Sequence, residues 1–127
     1  MLEGLKNIIY KNFPATLEWH KNLYKKYSTD ELINVLKSLG IRKGSRLFIH
    51  SSWNQFFNYK GNHIELIEAL LDEIGPTGTL AMPAIPINIE TNKIFDVRKT
   101  PSSAGYLTEI FRRYPNVKRS INLIHSV

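Results

Sequence analysis

The chain has 127 residues, of which 43% are hydrophobic and 22% charged, and it contains no cysteine. That composition describes one globular domain with enough apolar content for a core of its own, and it excludes a disulfide framework, a thiolate metal site and a cysteine nucleophile. A formal net charge of +6 leaves three classes of anionic partner to weigh: nucleic acid, a membrane surface, or a phosphate-bearing small molecule.

Residues 1–27 read as an N-terminal helical extension. Leu2, Leu5, Ile8 and Ile9 have helical spacing, Pro14 interrupts it, and Trp19, Leu23 and Tyr27 resume it at four-residue intervals. The domain proper is expected over residues 28–127. Ser28 followed three residues later by Glu31 is a capping-box pattern, and Leu32, Val35, Leu36 and Leu39 supply an apolar stripe that Gly40 stops. After a turn at Arg42–Gly44, Leu47-Phe48-Ile49 reads as a short buried strand ending in His50-Ser51-Ser52. Asn62 and Glu65 repeat the capping logic for a second helix. Its apolar face is Ile64, Ile67, Leu70, Leu71 and Ile74, and Gly75-Pro76 ends it.

Thr79 to Met82 reads as a second strand, broken by Pro83. Residues 85–100 read as a loop or hairpin. A third helix is predicted to begin at Pro101-Ser102, with Tyr106, Leu107, Ile110 and Phe111 inward, Arg112 and Arg113 at the end the helix dipole favours, and Pro115 as its stop. Ile121 to Val127 reads as the start of a further strand. Helices alternating with strands predict an α/β fold, a partial mixed or parallel sheet with crossover helices. Ligands of such sheets collect at the carboxyl ends of the strands, here His50-Ser51-Ser52 and Pro83-Ala84.

The chemistry-bearing residues are few. Thr100-Pro101-Ser102-Ser103-Ala104-Gly105 places hydroxyls and backbone N–H groups where a helix is predicted to start, a setting that favours an anion, although serine at a cap is also routine. Arg98, Lys99 and Arg119 add charge nearby. Of the histidines, His20 and His63 read as ordinary surface residues, and His50 suits a hydrogen-bonding role as well as a ligand role. His125 and Ser126 are adjacent in a predicted strand and point to opposite faces, so they do not form a base–nucleophile pair. No zinc-protease, nucleophile-elbow, Walker or dinucleotide-binding motif is present, and no metal is expected. The cations are dispersed, as on a solvated surface, and a nucleic-acid reading rests on charge alone. No run approaches the roughly 20 apolar residues of a membrane span, residues 1–13 do not read as a secretory signal, and the lack of cysteine suits a cytoplasmic protein.

Four blocks in order resemble the aminoglycoside 3-N-acetyltransferase (antibiotic N-acetyltransferase) family over about residues 30–127. They are Leu39-Gly40-Ile41-Arg42-Lys43-Gly44 with Leu47 to Ser52; Ile67 to Asp72; Gly75 to Pro83; and Phe95-Asp96, Thr100-Pro101-Ser102, Gly105, Phe111-Arg112-Arg113, Pro115, Arg119-Ser120 and His125-Ser126-Val127. The resemblance implies an α/β N-acetyltransferase using acetyl-CoA as co-substrate on an amino group of an aminoglycoside or another amino sugar. It places Ser51, Ser52, Thr100, Pro101, Ser102, Gly105, Arg119 and Ser120 around the CoA site. It also implies that these residues are the N-terminal half of a longer pattern, whose catalytic histidine lies in a later block beyond Val127; His125 is the one candidate base near the end of this chain. The family pattern has His-Pro where this chain has Asn122-Leu123, and a small, glycine-rich loop where it has Trp53 to Phe57. The alternative reading is a non-catalytic remnant that holds CoA or oligomerises through its open sheet edge.

Overall fold

The computed structural model describes residues 25–86 and 94–122. The expected N-terminal helices, with Trp19 and His20, lie outside the described residues, as do residues 123–127 with His125. Tyr27, the last residue of the expected extension, is described; it is not helical and forms an isolated parallel bridge to Tyr59.

Helix α1 spans Thr29–Ser38 and begins as its sequence dictates. The Ser28 hydroxyl accepts from the Glu31 amide at 3.2 Å, and the Glu31 carboxylate accepts from the Ser28 amide at 2.9 Å, so two otherwise unpaired donors are satisfied. Its inward residues are Leu32, Ile33 and Leu36. The predicted stripe is rotated, because Val35 and Leu39 are 56% and 75% exposed while Ile33 packs against the core.

Strand β1 (Arg46–Phe48) pairs in parallel with β2 (Thr79–Ala81), Leu47 opposite Leu80. Parallel neighbours cannot be joined by a tight turn and need a crossover. Here it contains a 3₁₀ turn, Trp53–Gln55, and helix α2, His63–Ile74. The Asn62 side chain caps α2 by accepting from the Glu65 amide at 3.0 Å. Leu66, Ile67, Leu70 and Ile74 are buried, and with Met82, Ala84, Leu107 and Phe111 they form the apolar interior. Ile64, predicted to point inward, is 43% exposed, and Leu66 takes the inward position instead. The α/β expectation is met: a two-stranded parallel sheet, order β1-β2, with a crossover helix packed against it.

Helix α3 spans Tyr106–Arg112 and does not start at Pro101-Ser102. Its N-cap is Gly105, with no side-chain cap, and the preceding serines lie in a turn. Leu107, Thr108 and Phe111 face inward, whereas Tyr106, expected there, is 58% exposed. Ile121 is exposed and neither it nor Asn122 is in a strand. No helix of the described residues is long and apolar enough to cross a membrane.

Candidate functional site

The carboxyl ends of both parallel strands open on one edge, and three segments meet there. Past β1, the chain runs through His50, Ser51 and Ser52 into the 3₁₀ turn that Ser52 precedes. A Cβ on Gly105 would sit 3.3 Å from the Ser51 carbonyl oxygen, so strand end and α3 cap touch through backbone. Past β2, Pro86 forms an antiparallel bridge with Ser102, and the Ser103 amide donates to the Ile85 carbonyl at 2.7 Å. Arg119 ties the arrangement together. Its guanidinium donates to the Thr100 and Ala84 carbonyls and lies 5.0 Å from the centre of the Phe95 ring.

The structure therefore brings Ser51 to Gly105, and Thr100 and Ser102 to the residues after β2, with Arg119 bonding both sides. Pro101 and Ser52 are exposed, and Ser120 is half-buried. A cavity of about 420 Å³ opens beside the serines, lined by Leu36, Leu47, Ile49, Ser51, Ser52 and Phe56 among others. A larger one, about 660 Å³, lies on the β2 flank with Leu80, Met82, Phe111 and Arg119 in its wall.

The turn before α3 is not the open anion cradle that a helix start at Ser102 would provide. The Ser102 amide donates to Glu109 at 2.9 Å, the Ala104 amide to the Ser102 hydroxyl at 3.1 Å, and the Ser103 amide is used by Ile85. The Thr100 hydroxyl accepts from the Asp96 amide at 3.0 Å, and the Asp96 carboxylate accepts from the amides of Arg98 and Lys99. Those amide bonds, the Lys99 one foremost, hold the Asp96 carboxyl below its ordinary pKa.

Glu109 is the electrostatic centre of this region. Its carboxylate accepts from Arg112 Nε and Nη2 at 2.8 and 2.6 Å, from Arg113 Nε at 2.7 Å and from the Ser102 amide. The hydrogen bond from Arg112 is the main reason its pKa falls to about 2, against the opposing effect of burial. Arg119 moves the other way: burial lowers its pKa, and the nearby Arg112 charge lowers it further. Its Nε is buried with no partner among the described residues.

His63 is not an ordinary surface residue. Its ring lies 3.9 Å from the Trp53 ring and 4.6 Å, edge-on, from Tyr106, and its Nε2 is buried with no partner among the described residues. Burial lowers its pKa. The spacing of His63 with Ile67, Leu70 and Ile74 on one helical face is the signal that places it inward. His50 stays exposed, 4.9 Å edge-on from Phe48. Among the described residues, no three His, Asp or Glu side chains converge as a metal-ion set.

A parallel sheet with a crossover helix, whose strand ends meet a serine-rich turn and Arg119 on one edge, defines an open-sheet α/β protein. Residues 48–127 match the family model for aminoglycoside 3-N-acetyltransferase, and the chain belongs to that family. Aminoglycoside N(3)-acetyltransferase IV of Salmonella sp is 38% identical over 92 residues, 71% of this chain and 34% of that protein. The SPbeta prophage-derived aminoglycoside N(3')-acetyltransferase-like protein YokD of Bacillus subtilis (strain 168) is 29% identical over 107 residues, 67% of this chain and 39% of its own length. The crystal structure of a mutant of aminoglycoside acetyltransferase AAC(3)-IVa in complex with a gentamicin superposes with a TM-score of 0.70 at 33% identity, covering 81% of this chain and 40% of that one. The chain thus spans between 34% and 40% of the length of these relatives. The family resemblance carried by the four sequence blocks is confirmed, and with it the α/β fold.

Proposed function

We propose that these residues form the cofactor-binding part of an acetyl-CoA-dependent N-acetyltransferase that acts on an amino group of an aminoglycoside or another amino sugar. The observation that carries this reading is the meeting of Ser51, Gly105, Ser102 and Thr100 at the carboxyl edge of the sheet, in a chain of this family. An excess of cations and a buried guanidinium Nε without a partner suit a pyrophosphate-bearing co-substrate. The complex of AAC(3)-IVa with a gentamicin supports an amino-sugar acceptor.

In the reaction, the neutral acceptor amine attacks the thioester carbonyl carbon. An N–C bond forms, the C–S bond breaks with its electrons leaving on the CoA sulfur, and the amine loses its proton to a base. By resemblance that base is a histidine of the family's later block, and the role of the present residues is to bind and orient the thioester. The reading places the work in the cytoplasm, where acetyl-CoA is made and used.

The test is calorimetry with CoA on the 127-residue chain, joined to an acetylation assay with gentamicin and apramycin on this chain and on one extended to the length of its relatives. CoA binding with turnover by the extended chain is the expected result. Binding without turnover by either chain favours the non-catalytic CoA-holding reading, and absence of CoA binding to both removes the site.

A further inference from the structure

Two of the segments that meet at the strand-end site each continue directly into an aromatic residue. Trp53 follows Ser51-Ser52, and Tyr106 follows Gly105. Both rings meet a third, that of His63, at 3.9 and 4.6 Å between centres. We infer that His63 is a positioning residue of this site. Its ring holds Trp53 and Tyr106, and through them the Ser51-Ser52 loop and the Gly105 turn, in the arrangement that takes the co-substrate. The identity of the ligand rests on the acetyl-CoA reading above; the positioning role rests on the rings.

His63 is the first residue of α2, a helix started by the Asn62 cap and fixed to the interior by Leu66, Ile67 and Leu70. Its ring therefore stands on an anchored element. The two elements it touches are short, the 3₁₀ turn of three residues and α3 of seven, and neither has a side-chain cap. Short uncapped elements carry little order of their own, so what they pack against sets their position. Among the described residues, the other rings against Trp53 are Phe56 and Tyr59, which belong to the same connection between β1 and α2.

Packing, and not hydrogen bonding, decides where this imidazole lies. Its Nε2 is buried with no partner among the described residues, although buried polar atoms ordinarily find one. The ring is spent instead on Trp53, at a 33° tilt, and on Tyr106, edge-on at 76°. The two walls also touch directly, since a Cβ on Gly105 would lie 3.3 Å from the Ser51 carbonyl oxygen. Drift of Trp53 or Tyr106 is thus drift of the wall it adjoins. Loss of both ring contacts lowers the population of the held arrangement by about tenfold, and apparent ligand affinity falls by the same factor.

The experiment compares the 127-residue chain with His63→Ala and His63→Phe by CoA calorimetry and by residue-resolved amide hydrogen exchange. The Gln55 and Phe56 amides, bonded to the Ser52 and Trp53 carbonyls, report on the serine loop, and the Glu109 amide, bonded to the Gly105 carbonyl, on the start of α3. The Gly75 amide, bonded to the Leu71 carbonyl at the other end of α2, is the internal reference. His63→Ala should weaken CoA by about tenfold and speed exchange of the first three amides by about as much, with Gly75 unchanged. His63→Phe, which keeps a ring, should restore both. Should His63→Ala not fold, His63→Leu replaces it, supplying bulk without a ring, and the same outcomes decide. Unchanged CoA affinity, or failure of His63→Phe to restore it, overturns the positioning role and leaves the acetyl-CoA reading in place. Exchange that quickens equally at all four amides shows a merely structural histidine and also overturns it. If the wild-type chain binds no CoA, the acetyl-CoA reading falls; selective exchange rescued by His63→Phe then sustains the holding role, and its absence overturns that too.

Discussion

Removing the charge of Glu109 tests whether the α3 ion network holds this part of the fold together. Glu109→Gln keeps the shape of the side chain and one acceptor, but leaves Arg112, whose side chain is 5% exposed, without its counter-ion. The carboxyl pKa is held at about 2 against an ordinary 4.5. Since each tenfold change in proton affinity is about 1.4 kcal/mol, the charged form contributes about 3 kcal/mol in the folded state. A cost of that order also matches the removal of one partner from a largely buried pair. The sign follows from the direction of the shift. A depressed carboxyl pKa adds stability that is complete above pH 4.5 and drains away as the pH falls towards 2. Urea unfolding of wild type and Glu109→Gln should therefore differ by about 3 kcal/mol at pH 7 and by clearly less near pH 3. The lowered carboxyls of Glu31 and Asp96 are present in both proteins and cancel in the comparison. Arg113→Gln serves as the control: at 65% side-chain exposure its loss should cost under about 1 kcal/mol. A gap of less than about 1 kcal/mol at pH 7, or one that does not narrow in acid, would refute the reasoning.

Gly105→Ala should destabilise the chain by about 2 kcal/mol, because φ 135° and ψ 163° belong to a glycine-only region and the new Cβ would press on the Ser51 carbonyl; a thermal melt reads it, and CoA calorimetry should show weaker binding as the Ser51 loop shifts. Ile67→Ala, at a residue with no exposed surface, should cost about 3 kcal/mol in urea unfolding from lost burial and the cavity left behind. Burial lowers the pKa of His63 below its ordinary 6.5, so the unfolded chain takes up the proton before the folded one and wild type should lose stability as the pH drops below 6.5. His63→Phe should keep the ring packing with Trp53 and Tyr106 and flatten that slope between about pH 7 and 5 in the same assay.

Where local chemistry decides an element, the sequence was readable. The Ser28–Glu31 and Asn62–Glu65 pairs both cap helices as their spacing predicts. The two short apolar runs are strands within a residue of their expected limits. What failed depended on distant partners. Pro101-Ser102 has the look of a helix start, yet the Ser102 amide is claimed by Glu109, seven residues on, and the chain turns through Gly105 before helical geometry begins. The α1 stripe was misjudged for a related reason: periodicity fixes which residues share a face, but the neighbouring helix and strand decide how that face is rotated. Ile33 faces them and Leu39 does not.

The candidate site followed the same division. Strand ends were legible because a parallel pair needs a crossover, and a crossover returns the chain to the same edge; Ser51 and Pro83 share that edge for this reason. The role of Arg119 was not legible, because in sequence it is one more cation near other cations. In the fold its two Nη groups reach carbonyls on opposite sides of the site, Thr100 before α3 and Ala84 after β2. A planar guanidinium with several fixed donors can span two acceptors in this way, whereas a lysine ammonium presents a single point charge. Arg119 therefore holds the serine turn against the end of β2.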